Sequence, residues 1–275
     1  MNSPFRLAAS SYLNSAPLIW SFLHGSHRGR VDFKEAVPAQ CAQLLSESVV
    51  EGALVPVIEY QRIAGGSLVQ NVCVGSQKEV LSVVLVSKNK RLEDIRTVAL
   101  DESSRTSATL VKIIFREFLN REPEWTTRAP RLEEMLEKND AALIIGDPGM
   151  AFPRHGLNVW DMAALWKQHT GLGFVFAMWM VRDGCEERAR IVDFAGARDE
   201  GVAKIEEIVR SYQDKIPMRV DELRNYLTEN IVFKVDESME KGLRLYFELA
   251  FKQGLIERVK PLRFISHAAP RRNER

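Results

Sequence analysis

TVALDESSRTSATLVKIIFREFL, residues 97–119, falls into three pieces. Thr97–Leu100 is a short apolar run of the kind that forms a buried strand. Asp101–Ser107 is a polar cluster, and Ala108–Leu119 places apolar residues at helical spacing. Strand, polar junction and helix together make half of a parallel crossover unit. The pattern recurs upstream. FRLAA (5–9) is strand-like, Asn14 and Ser15 offer a cap, Pro17 suits a first helical turn, and the helix ends at Gly25. VDFKEAV (31–37) alternates, and Pro38 opens a second helix. GALV (52–55) leads through Pro56 into a helix stopped by Gly65 and Gly66. LVQNVCVG (68–75) and EVLSVVLVSK (79–88) read as strands.

Downstream, the helix PRLEEMLEKN (130–139) precedes the strand AALIIGD (141–147). The helix DMAALWKQHTG (161–171) precedes FVFAMWMV (174–181), an apolar, aromatic-rich run that reads as a buried strand. After Asp183 only helical patterns follow. Alternating strands and helices predict an α/β fold with mostly parallel sheets and right-handed crossovers. The chain is expected to form two lobes joined by a two-strand hinge, crossing at 80–91 and near 175–186. Residues 1–87 with 183–275 would make one lobe and 88–182 the other. Ligands of such sheets bind at strand carboxyl ends, so the strand-to-helix junctions are the places to inspect.

Composition narrows the function classes. The 275 residues suit one large or two modest domains at roughly 150 residues each. Apolar residues are 45% and charged residues 27%, ordinary for a globular protein. Lysine plus arginine (38) against aspartate plus glutamate (37) leaves a net charge of +1, so no global field favours nucleic acid or a membrane. Residues 251–275 are locally basic, with seven basic and two acidic side chains, and read as a solvated end. The cysteines Cys41, Cys73 and Cys185 are odd in number and widely spaced, which fits buried thiols in a reducing compartment. The opening MNSPFRLAASSYLNSAPLIW is a poor export signal, and no apolar run approaches the ~18 residues of a membrane span. The sequence predicts a cytoplasmic protein.

Three junctions carry chemistry-bearing residues. SSYLNSAP (10–17) sets the hydroxyls of Ser10, Ser11 and Ser15 and the Asn14 amide before a helix whose first N–H groups favour an anion; plain capping explains it equally well. DESSRTSAT (101–109) places Ser103, Ser104, Thr106 and Ser107 at a helix start, more hydroxyls than one cap needs, with Arg105 able to add a charge-assisted bond. IIGDPG (144–149) ends a strand at Asp147, which can take a substrate hydroxyl, accept a proton or cap the next turn; turn chemistry alone accounts for Asp-Pro-Gly. His24 and His27 lack partners at metal-ligand spacing. His155 and His169 are lone histidines, and Trp160, Trp166, Trp179 and Phe174 read as core. Glu59 follows an apolar run and is expected to be buried and paired. Dinucleotide, P-loop, nucleophile-elbow and HExxH motifs are all missing from the sequence.

The junctions occur together in one order: SYLNSAPL (11–18), LVPVIEY (54–60), EVLSVVLVSK (79–88), ALDESSRTSATL (99–110), ALIIGD (142–147) and WKQHTGLGFVFAMW (166–179). In this the chain resembles the chorismate dehydratase family of the futalosine route to menaquinone, relatives of periplasmic solute-binding proteins. The resemblance spans roughly residues 6–182. It departs at Gly173, where the family usually has proline, and at SQKEV (76–80), where a glycine is common. The resemblance implies a bilobed periplasmic-binding-protein-like (type II) fold and loss of water from chorismate without a cofactor or metal. It implies catalytic roles for Asn14 and Ser82. Ser11, Ser103, Ser104, Arg105, Thr106 and Ser107 would bind the dianionic substrate, and Asp147 would orient a hydroxyl. No residue stands out as the base, so the substrate's own enolpyruvyl carboxylate is the expected one. The implied partner is a small dianion, with no nucleic acid or membrane, and the chain is expected as monomer or homodimer. Alternatives are the sister enzyme that makes dihydroxynaphthoate from cyclic futalosine, and a non-catalytic solute receptor.

Overall fold

A computed structural model describes residues 3–265. The first part of the chain alternates β1 (Phe5–Ala9), α1 (Ala16–Leu23), β2 (Val31–Glu35), α2 (Pro38–Ser46), β3 (Gly52–Pro56) and a single turn, α3 (Glu59–Arg62), before the long strand β4 (Ser67–Ser76). A second part follows with β5 (Val83–Ser87), β6 (Thr97–Asp101), α4 (Thr106–Ile113), β7 (Glu124–Arg128), α5 (Leu132–Lys138), β8 (Ala141–Ile145), α6 (Gly146–Met150), β9 (Asn158–Asp161) and α7 (Met162–Thr170). The chain then returns through β10 (Phe174–Val181) to α8 (Glu186–Ala189), α9 (Phe194–Ala203), α10 (Ile205–Tyr212), α11 (Val220–Asn225), α12 (Glu237–Lys252) and β11 (Phe264–Ile265).

Two mixed sheets result. One has the order β11-β4-β10-β3-β1-β2, the other β7-β6-β8-β5-β9. The crossovers β1–β2, β1–β3, β6–β7 and β6–β8 are parallel, as the alternating pattern predicts. Two returning strands run the other way: β10 is antiparallel to β3 and β4, and β5 to β8 and β9.

Sheet membership differs from the expected lobe boundaries. Val83–Ser87 was expected in the first lobe but lies inside the second sheet, while Phe174–Val181 was expected in the second lobe but lies between β3 and β4 of the first. The chain therefore crosses at about 77–82 and 171–173. Both crossings leave from adjacent paired ends, Ser76 opposite Phe174, which makes the hinge two-stranded. The reason for the difference is physical. VVLVS is buried throughout and FVFAMWMV nearly so, so neither run carries an alternation that would tell one sheet from the other. The edge strand β11, parallel to β4, is a further departure from the helical reading after Asp183.

Trp166, Trp179 and Phe174 are core residues, and Cys41, Cys73 and Cys185 are buried free thiols. No helix among the described residues is long and apolar enough to cross a membrane. Residues 266–275 of the basic tail lie outside the described residues.

Candidate active site between the lobes

The turn after β1 and the start of α4 face each other across the lobes. Between them lies a cavity of about 60 Å³, or about 510 Å³ of atom-free space with its mouth included. Asn14, Tyr12 and Ser15 line it from the first lobe, Ser103–Ser107 and Gly146 from the second, and Pro56 and Phe176 form part of the apolar wall. Asn14 and the expected run Ser103, Ser104, Arg105, Thr106 and Ser107 are thus brought together by the fold.

Within that run the hydroxyls have different duties. Ser103 is committed to Asp101: its N–H and hydroxyl both donate to one carboxylate oxygen, at 2.9 and 2.6 Å, while Ile145 N–H takes the other at 3.2 Å. Burial still pushes the Asp101 carboxyl above its ordinary range. Thr106 accepts from Ile58 N–H at 3.3 Å, a bond between lobes, and its carbonyl accepts the Tyr246 hydroxyl at 2.9 Å. Ser104 and Ser107 line the cavity with no side-chain partner among the described residues. No side chain caps α4, so the N–H groups of its first turn lack intrahelical partners beside them. Unpartnered hydroxyls and first-turn N–H groups beside a cavity are the donors an anion would require.

Arg105 also lines the cavity, but it is held at 2.8 Å by Glu59, whose other oxygen takes Arg62 at 2.8 Å. Glu59 is only 2% exposed, as expected of a buried, paired carboxylate.

At the first junction no side chain caps α1, so the capping reading fails. Ser15 makes no cap bond; its hydroxyl meets Ser10 and the Asn14 Oδ1, each at 3.1 Å. The N–H groups of Ser15 and Ala16 close onto the Tyr12 carbonyl, and that of Leu13 donates to Asp147 at 2.9 Å. A carboxylate of the second lobe therefore occupies an N–H of this turn. Asp147 neither caps α6 nor lines the cavity, and burial raises its carboxyl to about 6. Ser11 is turned away, its hydroxyl bound to Glu35 and its carbonyl to the Tyr212 hydroxyl.

Ser82 is fully buried one residue before Val83, which lines the cavity. It follows a strained crossing: Leu81 has φ +58°, and Asp161 accepts the N–H groups of Val80 and Leu81 at 3.0 and 2.7 Å. The Ser82 hydroxyl accepts from Tyr226 at 2.7 Å.

Two tyrosines escaped the sequence reading. Tyr12 lies inside the quoted SYLN motif, packs on Gly146 and hydrogen-bonds Ser103. Tyr226 sits among the carboxy-terminal helices, where no local motif marks it. The lone histidines play no part in the cavity: His27 is buried against Ser21 at 2.7 Å, and His169 stacks on Phe118. At Gly173 the loop is tied rather than loose. Its N–H donates to Ser238 Oγ at 3.0 Å and its carbonyl accepts Trp166 Nε1 at 3.3 Å.

Comparison with known proteins bears on this geometry. A family model described as menaquinone biosynthesis matches residues 5–252. The chorismate dehydratase of Thermus thermophilus is 29% identical over 267 residues, covering 89% of this chain and 94% of that protein. The chorismate dehydratase of Campylobacter jejuni is 26% identical over 238 residues, covering 86% and 88%. Among solved structures, a protein of Archaeoglobus fulgidus superposes with TM-score 0.71 at 16% identity, over 92% of this chain and 98% of that one. The periplasmic aliphatic sulphonate binding protein of Escherichia coli gives 0.64 at 16% identity, over 100% and 99%. These likenesses establish the periplasmic-binding-protein fold.

Proposed function

The chain belongs to the menaquinone-biosynthesis family, and on that footing we propose that it is a chorismate dehydratase, a hydro-lyase converting chorismate to 3-[(1-carboxyvinyl)oxy]benzoate and water. The observation that carries the reading is the cavity itself, with Asn14 on one wall and the Ser104–Ser107 helix start on the other. A dianion spanning the lobes meets donors at both ends.

The proton leaves C3 and the hydroxyl leaves C4, and the ring becomes aromatic. The step is redox-neutral, so the protein's task is to hold a flexible substrate in an elimination-ready geometry. Ser104, Ser107, Arg105 and the first-turn N–H groups of α4 take one carboxylate. Asn14 directs the enolpyruvyl carboxylate toward the C3 proton, where that group acts as the base. Two facts support a substrate-borne base. Among the described residues Arg105 is the sole charged side chain lining the cavity, and the nearby carboxylates of Asp101 and Asp147 already accept N–H donors. Asp147, bound to the Leu13 N–H and outside the cavity lining, holds the turn that carries Asn14 and does not touch substrate. Positioning of this kind can lower a barrier by several kcal/mol. Parting and closing of the lobes about the hinge admits substrate and excludes water.

The test is incubation with chorismate alone, followed by mass spectrometry. A product lighter by one water, lost in Asn14→Ala, supports the reading. Chorismate bound but unchanged would instead indicate a receptor, and no binding at all would point to the cyclic futalosine substrate of the sister enzyme.

A further inference from the structure

Tyr226 bonds Ser82 and lies beside Asn14, the two residues on which catalysis is placed, and it comes from a distant part of the chain. Its hydroxyl donates to Ser82 Oγ at 2.7 Å, and the Asn14 side chain lies within hydrogen-bonding reach of the same oxygen. Asn14 Oδ1 already accepts the Ser15 hydroxyl, which leaves its amide N–H groups for Tyr226 and the cavity. The ring is fully buried, and Tyr226 opens a five-residue π-helical turn, Tyr226–Asn230, that continues α11. Such wide turns are rare overall and frequent at functional sites.

We infer that Tyr226 is a positioning residue that holds the Ser82 hydroxyl and the Asn14 amide in register across the hinge. The inference rests on the dehydratase reading above. A phenol is the better donor and a serine hydroxyl the better acceptor. With the Tyr226 proton on one of its lone pairs, the Ser82 hydroxyl is fixed in orientation and keeps its own proton for another acceptor. Asn14 belongs to the turn after β1, Ser82 to the first hinge crossing and Tyr226 to the carboxy-terminal helices. One buried hydroxyl thus ties three separate segments at the point where the lobes join. Burial keeps the phenol protonated by pushing its pKa well up, so the donor role does not change over the working pH range.

The experiment is steady-state chorismate turnover by wild type, Tyr226→Phe, Ser82→Ala and the double variant, with thermal melts of each. The phenylalanine variant keeps the ring and removes only the hydroxyl. It is expected to lower kcat by roughly 10- to 100-fold, the scale of loss when reacting groups are misplaced from a distance, with KM within about threefold. Adding Tyr226→Phe to Ser82→Ala should cost less than about threefold more, because residues acting through one another are not additive. The double variant, with neither hydroxyl left unpartnered, also serves if Tyr226→Phe alone folds poorly. Active wild type with an unimpaired Tyr226→Phe overturns the inference alone. So does an equal loss in both backgrounds, which would mark general packing. Wild type that leaves chorismate intact removes the dehydratase reading, and this inference with it.

Discussion

The backbone N–H of Leu13, in the turn after β1, donates to the carboxylate of Asp147 at the start of α6 at 2.9 Å. The two residues are 134 positions apart and belong to different lobes. The closed cleft is thus latched by the protein's own anion at a place where an incoming carboxylate would also find a donor.

The latch is pH-dependent, with a definite sign. Burial raises Asp147 from its ordinary 3.8 to about 6. The folded state therefore binds its proton more tightly than the unfolded chain does. That contribution is fully present below about pH 4 and is lost as pH rises through about 6. Asp147→Asn keeps an acceptor for Leu13 without the charge. Its melting temperature relative to wild type should rise between pH 4 and pH 7, and a constant difference over that range would contradict the assignment.

Gly146 has φ +67°, and an ideal Cβ there would lie 2.6 Å from the Tyr12 ring. Gly146→Ala combines left-handed strain with a push on the residue that packs across the cleft. A loss of about 1–3 kcal/mol is expected, together with a raised KM for chorismate. Adding Tyr12→Ala should relieve the contact but not the backbone strain, so KM and melting temperature of the pair separate the two causes.

Arg105 can serve the substrate or merely balance Glu59, and the two roles predict different kinetics. If it binds a substrate carboxylate, Arg105→Gln raises KM by roughly tenfold, the worth of one charge-assisted bond, with little loss of kcat. Glu59 keeps Arg62 at 2.8 Å, so the fold should survive. An unchanged KM with a lowered melting temperature would leave Arg105 as a structural partner only.

The surroundings of Gly173 suit glycine and not proline, the residue the family resemblance led one to expect there. Proline would delete the N–H donated to Ser238, and an ideal Cβ would lie 2.7 Å from both Gln77 and Met239. Gly173→Pro is expected to destabilise by about 1–3 kcal/mol, read as a shift in denaturant midpoint. The same change combined with Ser238→Ala should recover the part due to the stranded hydroxyl.

Much of the architecture was legible because its signals are local. Short apolar runs marked β1, β3, β6 and β8, 3.6-residue periods marked the helices between them, and hydroxyl clusters at strand ends pointed to Asn14 and Ser103–Ser107, which line the cavity. Buried Glu59 was readable from the apolar run before it. What failed locally failed for identifiable reasons. Ser11 and Ser103 carry the same hydroxyl as Ser104 and Ser107, yet Glu35 and Asp101 claim theirs.

The sequence by itself determined the alternation of strands and helices, the two-lobed α/β plan, the hydroxyl-rich helix start at Thr106 and, through its ordered motifs, the family. Each of these is read from local patterns, or from the order in which local patterns follow one another along the chain. Only the tertiary structure decided which sheet takes Val83–Ser87 and Phe174–Val181, since runs apolar on both faces can be buried in either sheet. It alone brought Leu13 to Asp147 across 134 residues and Tyr226 to Ser82 across 144. A buried polar atom must find a partner, but its type does not say which distant segment supplies one. That choice is made when the whole core closes and water is excluded.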